Sequence, residues 1–84
     1  TELDANGRGI PEKIAAAIDD DTIMIAASAP SWHYSNIDPI PELAAIAVER
    51  RLWMHVDACV GGYVSPFLEK LGVKLTPWDF RVPG

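Results

Sequence analysis

Apolar residues along this chain recur with two different periods, and the switches between them mark out the elements. Ile10, Ile14, Ala17 and Ile18 stand at offsets of four, seven and eight, the spacing that lays side chains along one face of an α-helix. Pro11 suits the first turn of that helix, where its missing N–H has no partner to lose, and Glu12 agrees there with the helix dipole. The Asp19-Asp20-Asp21 run ends the helix, because adjacent negative charges oppose the dipole at a C-terminus. "TIMIAA", Thr22 to Ala27, is then almost continuously apolar and includes the β-branched Ile23 and Ile25. That predicts a strand covered on both faces, as in a parallel sheet.

"SAPSWHYSN" breaks the pattern. Pro30 cannot donate to a ladder and small polar residues cluster around it, so the stretch reads as a loop. A helical period returns in "DPIPELAAIAVERR", with Asp38 as the expected cap, Pro39 in the first turn, and Leu43, Ile46, Ala47 and Arg50 on one face. Arg50 and Arg51 stand at its end, where cations are favoured. "LWMHVDA" predicts a second short strand. Strand, helix and strand in this order form a βαβ unit, and two strands joined by a right-handed crossover run parallel. Gly61 and Gly62 read as a turn needing positive φ, and "SPFLEKLG" as a helical turn or short helix ended by Gly72. The polar stretch from Thr1 to the "NGRG" turn and the tail "VKLTPWDFRVPG" show no period. The expectation is an α/β segment in which residues 1–84 form a single partial domain, an internal piece of a larger one.

Composition narrows the partners. An 84-residue chain with 49% apolar and 23% charged residues has the makeup of a packed globular segment and not of a disordered tail, although chains this short bury only about 60% of their unfolded surface. Twelve acidic against seven basic residues give a net charge of -5, which argues against nucleic acid and anionic membrane as partners. Cys59 is the only cysteine, so no internal disulfide forms, and with no basic-then-apolar leader the expected setting is the cytoplasm. The longest run free of charge, Thr22 to Ile37, contains Pro30, His33 and Asn36 and is too short and polar to span a bilayer.

In an α/β sheet, ligands gather at the carboxyl ends of the strands. Two loops occupy such ends here. One follows Ala27 and carries Ser28, Ser31, His33 and Tyr34; the other follows Val56 and carries Asp57, Ala58, Cys59 and the two glycines. Asp57 is the residue that demands an explanation, since a carboxylate closing an apolar run is costly unless a cation or hydrogen-bond donor meets it. Three readings of it stand side by side. It caps backbone N–H groups of the next turn; it pairs with a cation in a low-dielectric pocket; or, with His55 two residues away on the same strand face, it offers two ligands to a metal, for which no third ligand stands at a telling spacing. Cys59 reads as a small packed hydrophobe, and Ser31 has no histidine and carboxylate at triad spacing. Trp32, Trp53 and Trp78 read as core or interface residues.

"HVDAC" with "GG" behind it, preceded by "SAPSWHYSNIDPI" and a crossover helix, resembles the pyridoxal-phosphate-dependent group II decarboxylase superfamily, and within it the sphingosine-phosphate lyase branch. The resemblance covers about Asp4 to Gly72, and the joint spacing of the two blocks is more specific than either alone. It implies a fold type I large domain, the cofactor pyridoxal 5'-phosphate, a small-molecule amine or amino-acid substrate, and a homodimer. By position it places on Asp57 the aspartate that pairs with the protonated pyridine nitrogen, and on Cys59 the residue that packs against one face of the ring. Ser31 falls where relatives keep a small polar residue near the cofactor or substrate. His55 falls beside Asp57, where it would either fix that carboxylate's orientation or be a histidine satisfied within the sheet. His33 and Tyr34 fall at the substrate border, and Ser35 departs from the family, which frequently has glycine there.

The resemblance also defines what the chain lacks. The family holds its cofactor covalently on a lysine preceded by a histidine, whereas none of Lys13, Lys70 and Lys74 follows a histidine. The expected activity of the whole protein is retro-aldol cleavage of a phosphorylated sphingoid base to a fatty aldehyde and phosphoethanolamine, with amino-acid decarboxylation as the alternative. The segment by itself is expected to be inert and to dock against the remainder of its own large domain. Two further classes compete with this reading, a metal-dependent hydrolase using His55 and Asp57, and a packing module in which Asp57 only caps a turn.

Overall fold

The chain folds, in a computed structural model that describes residues 2–84, as helix α1 (Pro11–Ala16), strand β1 (Met24–Ser28), helix α2 (Ile40–Arg50), strand β2 (Trp53–Asp57) and helix α3 (Gly61–Lys70). The polar stretch predicted from Thr1 begins outside the described residues. β1 and β2 are parallel neighbours, in register from Met24 beside Trp53 to Ser28 beside Asp57. The predicted βαβ unit is therefore present, and both strands end at the same level with their following loops side by side.

The core lies on one face of this small sheet. Ile40, Leu43, Ala44 and Ala47 are buried along α2, at the i, i+3, i+4 and i+7 positions that make one helical face. Ile40, Leu43 and Ala47 pack with Ile25 and Ala27 of β1, with Ala29, and with Ile14, Ile18, Met54 and Val56. The other face is open. Burial alternates along β1, and on β2 Trp53, His55 and Asp57 are exposed while Met54 and Val56 are half-buried. Among the described residues β1 is covered on one face only, since no element packs on the outer side.

Boundaries differ from the pattern where side chains compete with the backbone. α1 stops at Ala16, ahead of the acidic run, and Asp19 is engaged in a turn in which its carboxylate accepts from the Thr22 hydroxyl at 2.8 Å and the Asp21 N–H at 3.1 Å. Asp38 does not cap α2. Its Oδ2 accepts the Ser28 N–H at 2.9 Å and its Oδ1 the Gly9 N–H at 2.8 Å, so the carboxylate bolts the N-terminal segment to the end of β1. α2 ends at Arg51, which takes the left-handed conformation at φ 57°, while the Leu52 N–H reaches back to the Ala47 carbonyl at 2.8 Å, a closure that turns the chain directly into β2.

The two glycines are not a positive-φ turn. Both lie inside α3, and positive φ occurs instead at Gly7, Gly72 and Gly84 among the glycines. A Cβ at Gly61 would strike the Ala29 carbonyl, with its carbon at 2.8 Å and Pro30 Cδ at 2.9 Å. Gly61 is what lets α3 start against the Ala29-Pro30 backbone. Gly72 does end α3, with the Val73 N–H bonded to the Leu68 carbonyl at 3.0 Å. Of the tryptophans, Trp78 joins the core from the aperiodic tail, whereas Trp32 and Trp53 are exposed. Arg81 ties that tail down, with Nε 2.7 Å from Asp79 Oδ1 and Nη2 2.9 Å from Glu69 Oε1. No helix among the described residues is long and apolar enough to cross a membrane.

Candidate active site

The loop after β1 and the turn after β2 enclose a cleft of about 440 Å³ lined by Ser28, Pro30, Ser31, Trp32, His33, Ser35, Asp57, Cys59 and Val60. Its size lies in the range of small-molecule sites. Parallel pairing places it there: register puts Ser28 beside Asp57, and the Ala29 N–H donates to the Asp57 carbonyl at 2.8 Å, so both strands deliver their loops to one spot.

Of the residues singled out from sequence, Asp57, Cys59 and Ser31 come together in this cleft. His55 does not. It lies two residues back on the exposed strand face and borders a separate cavity of about 350 Å³ beside Met54, Val56 and Trp78. No hydrogen bond links His55 to Asp57 among the described residues, and its influence is limited to a weak electrostatic pull that helps keep Asp57 ionised. His33 lines the cleft and Tyr34 does not. Ser31 is held within its own loop: its N–H donates to the Asn36 carbonyl at 2.9 Å, and its hydroxyl oxygen accepts from the Tyr34 N–H at 3.2 Å.

Asp57 is exposed where a buried carboxylate was expected, because no element among the described residues covers the outer face of β2. The hydrogen bond from the Cys59 backbone N–H, 3.1 Å from Oδ1, and a further one from the Cys59 thiol hold its pKa below the ordinary carboxylate value. The turn-capping reading of Asp57 is therefore realised in the geometry. It coexists with the pairing reading, because no Lys or Arg forms an ion pair with Asp57 among the described residues. The same contact pushes the Cys59 thiol above its usual pKa. A thiol kept neutral beside a carboxylate is a poor nucleophile and a good packing group.

These properties suit a cationic aromatic ring. An ionised carboxylate stands at the mouth of a cleft, its orientation fixed by a backbone N–H, next to a small polarizable side chain. A metal fits less well, since no three His, Cys, Asp or Glu side chains gather into a ligand set among the described residues. Pattern reading also misses the role of Asp38, whose "DPI" context reads as a helix cap. Its bond to Gly9 joins positions 29 residues apart, for which no local signal exists.

A scan against models of protein families finds no match. Among proteins of known kind, the chain is 47% identical over 68 residues to the sphingosine-1-phosphate lyase of Dictyostelium discoideum, covering 81% of this chain and 13% of the relative. To sphingosine-1-phosphate lyase 1 of Rattus norvegicus it is 49% identical over 69 residues, 81% of this chain and 12% of the relative. A probable L-tyrosine/L-aspartate decarboxylase of Methanocella arvoryzae is 40% identical over 82 residues, 98% of this chain and 21% of the relative. A solved sphingosine-1-phosphate lyase from Burkholderia pseudomallei superposes with a TM-score of 0.88 at 42% identity, over 94% of this chain and 18% of that one. The chain belongs to the group II decarboxylase superfamily. Its α/β fold is that of a segment of the fold type I large domain, and the superfamily's lyase and decarboxylase branches both align across the "SAP" and "HVDAC" blocks. The chain spans 12% to 21% of the length of these relatives.

Proposed function

We propose that this chain is an internal segment of the large domain of a pyridoxal-phosphate-dependent carbon–carbon lyase resembling sphingosine-1-phosphate lyase, which cleaves a phosphorylated sphingoid base to a fatty aldehyde and phosphoethanolamine. The observation that carries the reading is Asp57: an ionised carboxylate, unpaired with any Lys or Arg of the described residues, held by the Cys59 N–H at the edge of a small-molecule cleft. When bound, pyridoxal phosphate supplies an electron sink for the bond broken at the substrate Cα. Asp57 would hold the ring nitrogen in its protonated form, because an opposite charge close by favours the charged state. Cys59 would pack on the ring face as a neutral thiol, and Ser31 would offer a hydroxyl at the opposite wall. The remaining parts of the site, including the lysine, would come from the rest of a cytoplasmic homodimer.

Amino-acid decarboxylation is the second reading. Alignment to the probable L-tyrosine/L-aspartate decarboxylase over 98% of this chain favours it, and it requires the same carboxylate. The complete enzyme separates the two. Release of fatty aldehyde from a phosphorylated sphingoid base supports the lyase, and carbon dioxide release from tyrosine or aspartate the decarboxylase. In either case Asp57→Asn is expected to lower turnover by at least roughly 100-fold, the scale of losing a preorganised charge partner, with the melting midpoint little changed. An enzyme without visible cofactor absorption, or an Asn variant with full turnover, would refute the proposal.

A further inference from the structure

We infer that Gly7, remote from the cleft in sequence and not among its lining residues, is a positioning residue that sets the cleft loop through Tyr34. This inference rests on the proposed function. Ser31, Trp32, His33 and Ser35 all face the cleft, and Tyr34 among them turns away. Its ring lies on Gly7, where a Cβ would come within 2.6 Å of Cδ1 and 2.8 Å of Cδ2. Gly7 also has φ +76°, a conformation in which any L side chain is strained. Both facts require glycine at this position.

Beneath Tyr34 stands a firm support. Asp4 closes the turn: its Oδ1 accepts the Asn6 N–H at 2.8 Å and the Arg8 N–H at 2.9 Å, and its carbonyl accepts the Gly7 N–H at 2.9 Å. Two further ties join this turn to the loop on either side of the aromatic contact, the Asn36 side-chain amide donating to the Asn6 carbonyl and the Gly9 N–H donating to Asp38. Hydrogen bonds within the loop fix its internal shape, but Trp32 and Tyr34 are 82% and 56% exposed, so the turn at residues 4–9 is what positions its tip against the rest of the chain. A shift of Tyr34 passes directly to the cleft wall, because its N–H is bonded to the Ser31 hydroxyl. The turn at residues 4–9 is therefore a buttress for the substrate side of the cleft, whereas Asp57 and Cys59, on the opposite wall, are anchored by β2 and α3.

The test uses the complete enzyme with Gly7→Ala, Tyr34→Ala and the double variant, measuring KM, kcat and cofactor absorption. Gly7→Ala is expected to raise KM on the order of tenfold, the effect of a displacement near 1 Å or less at a positioned group, with cofactor absorption retained. The double variant is expected to match Tyr34→Ala alone in KM, because both changes reach the cleft through one contact, while the strained φ at position 7 lowers the melting midpoint of both Gly7 variants. Should Gly7→Ala fold poorly, Asn36→Ala cuts a tie without adding bulk, and a several-fold rise in KM is expected. Additive effects of the Gly7 and Tyr34 changes, or an altered melting midpoint with unchanged KM in either variant, would overturn the inference. A wild-type enzyme lacking cofactor absorption defeats the lyase and decarboxylase readings, and the buttress with them; an active wild type with additive variants defeats the buttress alone.

Discussion

Gly61 and Gly62 are neighbours in one helix, yet alanine is expected to act on them with opposite sign. At Gly61 the new methyl group meets the Ala29 carbonyl and Pro30 Cδ, the carbonyl carbon and Cδ at 2.8 and 2.9 Å. These are main-chain atoms and a closed ring, with no flexible side chain to swing aside. Overpacking in such a place costs about 1–3 kcal/mol, and more when the obstacle is backbone, while the helix gains at most about 1 kcal/mol from the better propensity of alanine. The net effect is a loss on the order of 2 kcal/mol. At Gly62, the second residue of α3, nothing among the described residues lies within 4 Å, so only propensity acts and stability rises by at most about 0.5–1 kcal/mol. The pair should differ by roughly 3 kcal/mol. Melting midpoints of the two variants of the complete enzyme, compared at one scan rate because large enzymes unfold irreversibly, measure the difference. Gly61→Ala must also disturb the cleft, since relief comes only from moving Ala29-Pro30 or the start of α3, and these carry its two walls. A Gly61→Ala enzyme as stable as the wild type, or a Gly62→Ala enzyme less stable than its neighbour, would refute this account.

Three other outcomes follow from the same geometry. Asp38→Ala removes the acceptor of both the Ser28 and the Gly9 N–H, and with two charge-assisted bonds lost a decrease of about 2–4 kcal/mol is expected by thermal melting. Ser35 holds φ +54°, so Ser35→Gly is expected to raise stability by up to about 1 kcal/mol, the relief of left-handed strain less the added freedom of the unfolded chain. Arg81 lowers the pKa of Asp79, chiefly by its side-chain hydrogen bond. A depressed carboxylate stabilises the fold above its unfolded pKa of about 3.9 and loses that contribution as pH falls through the lower folded value; Asp79→Asn should therefore flatten the fall of the melting midpoint below that pH, and an unchanged acid slope would show the tie to be without effect.

Periodicity made most of the architecture legible. Leu43, Ile46, Ala47 and Arg50 announce α2 because a helix face repeats within a few residues, although the face it buries is Ile40, Leu43, Ala44 and Ala47, and the parallel pairing of β1 with β2 follows from the crossover rule without any knowledge of distance. What sequence could not show are contacts between segments far apart in the chain. Trp78 enters the core from a tail without a period, Asp38 bonds to Gly9 in place of capping the helix that starts beside it, and Gly61 owes its identity to Ala29. The glycine pair illustrates the ambiguity: a residue without Cβ serves positive φ or close approach equally well, and only the neighbour decides. The topology of two parallel strand ends brings Ser31, Asp57 and Cys59 to adjacent loops, and the structure gathers them around one cleft. His55 lines a different cavity, because sharing a strand face with Asp57 does not bring two side chains into contact.

The exposure of Asp57 sharpens the chemical argument. Its charge is maintained here by the Cys59 N–H and thiol, contacts within its own turn that owe nothing to burial. Ile23, Met24 and Trp53 on and beside the uncovered sheet face are 76%, 48% and 80% exposed, an apolar surface that, under the proposed function, the rest of the large domain covers. Covering it removes water from Asp57, and desolvation alone would raise the carboxylate's pKa and weaken its hold on a proton-bearing partner. The Cys59 N–H opposes that rise, and a cation opposes it more, since the attraction between opposite charges grows as the local dielectric falls. A ring nitrogen and Asp57 would thus hold each other ionised in the finished site, and the turn that fixes Oδ1 before the cofactor arrives keeps the carboxylate from spending that attraction on its own reorientation.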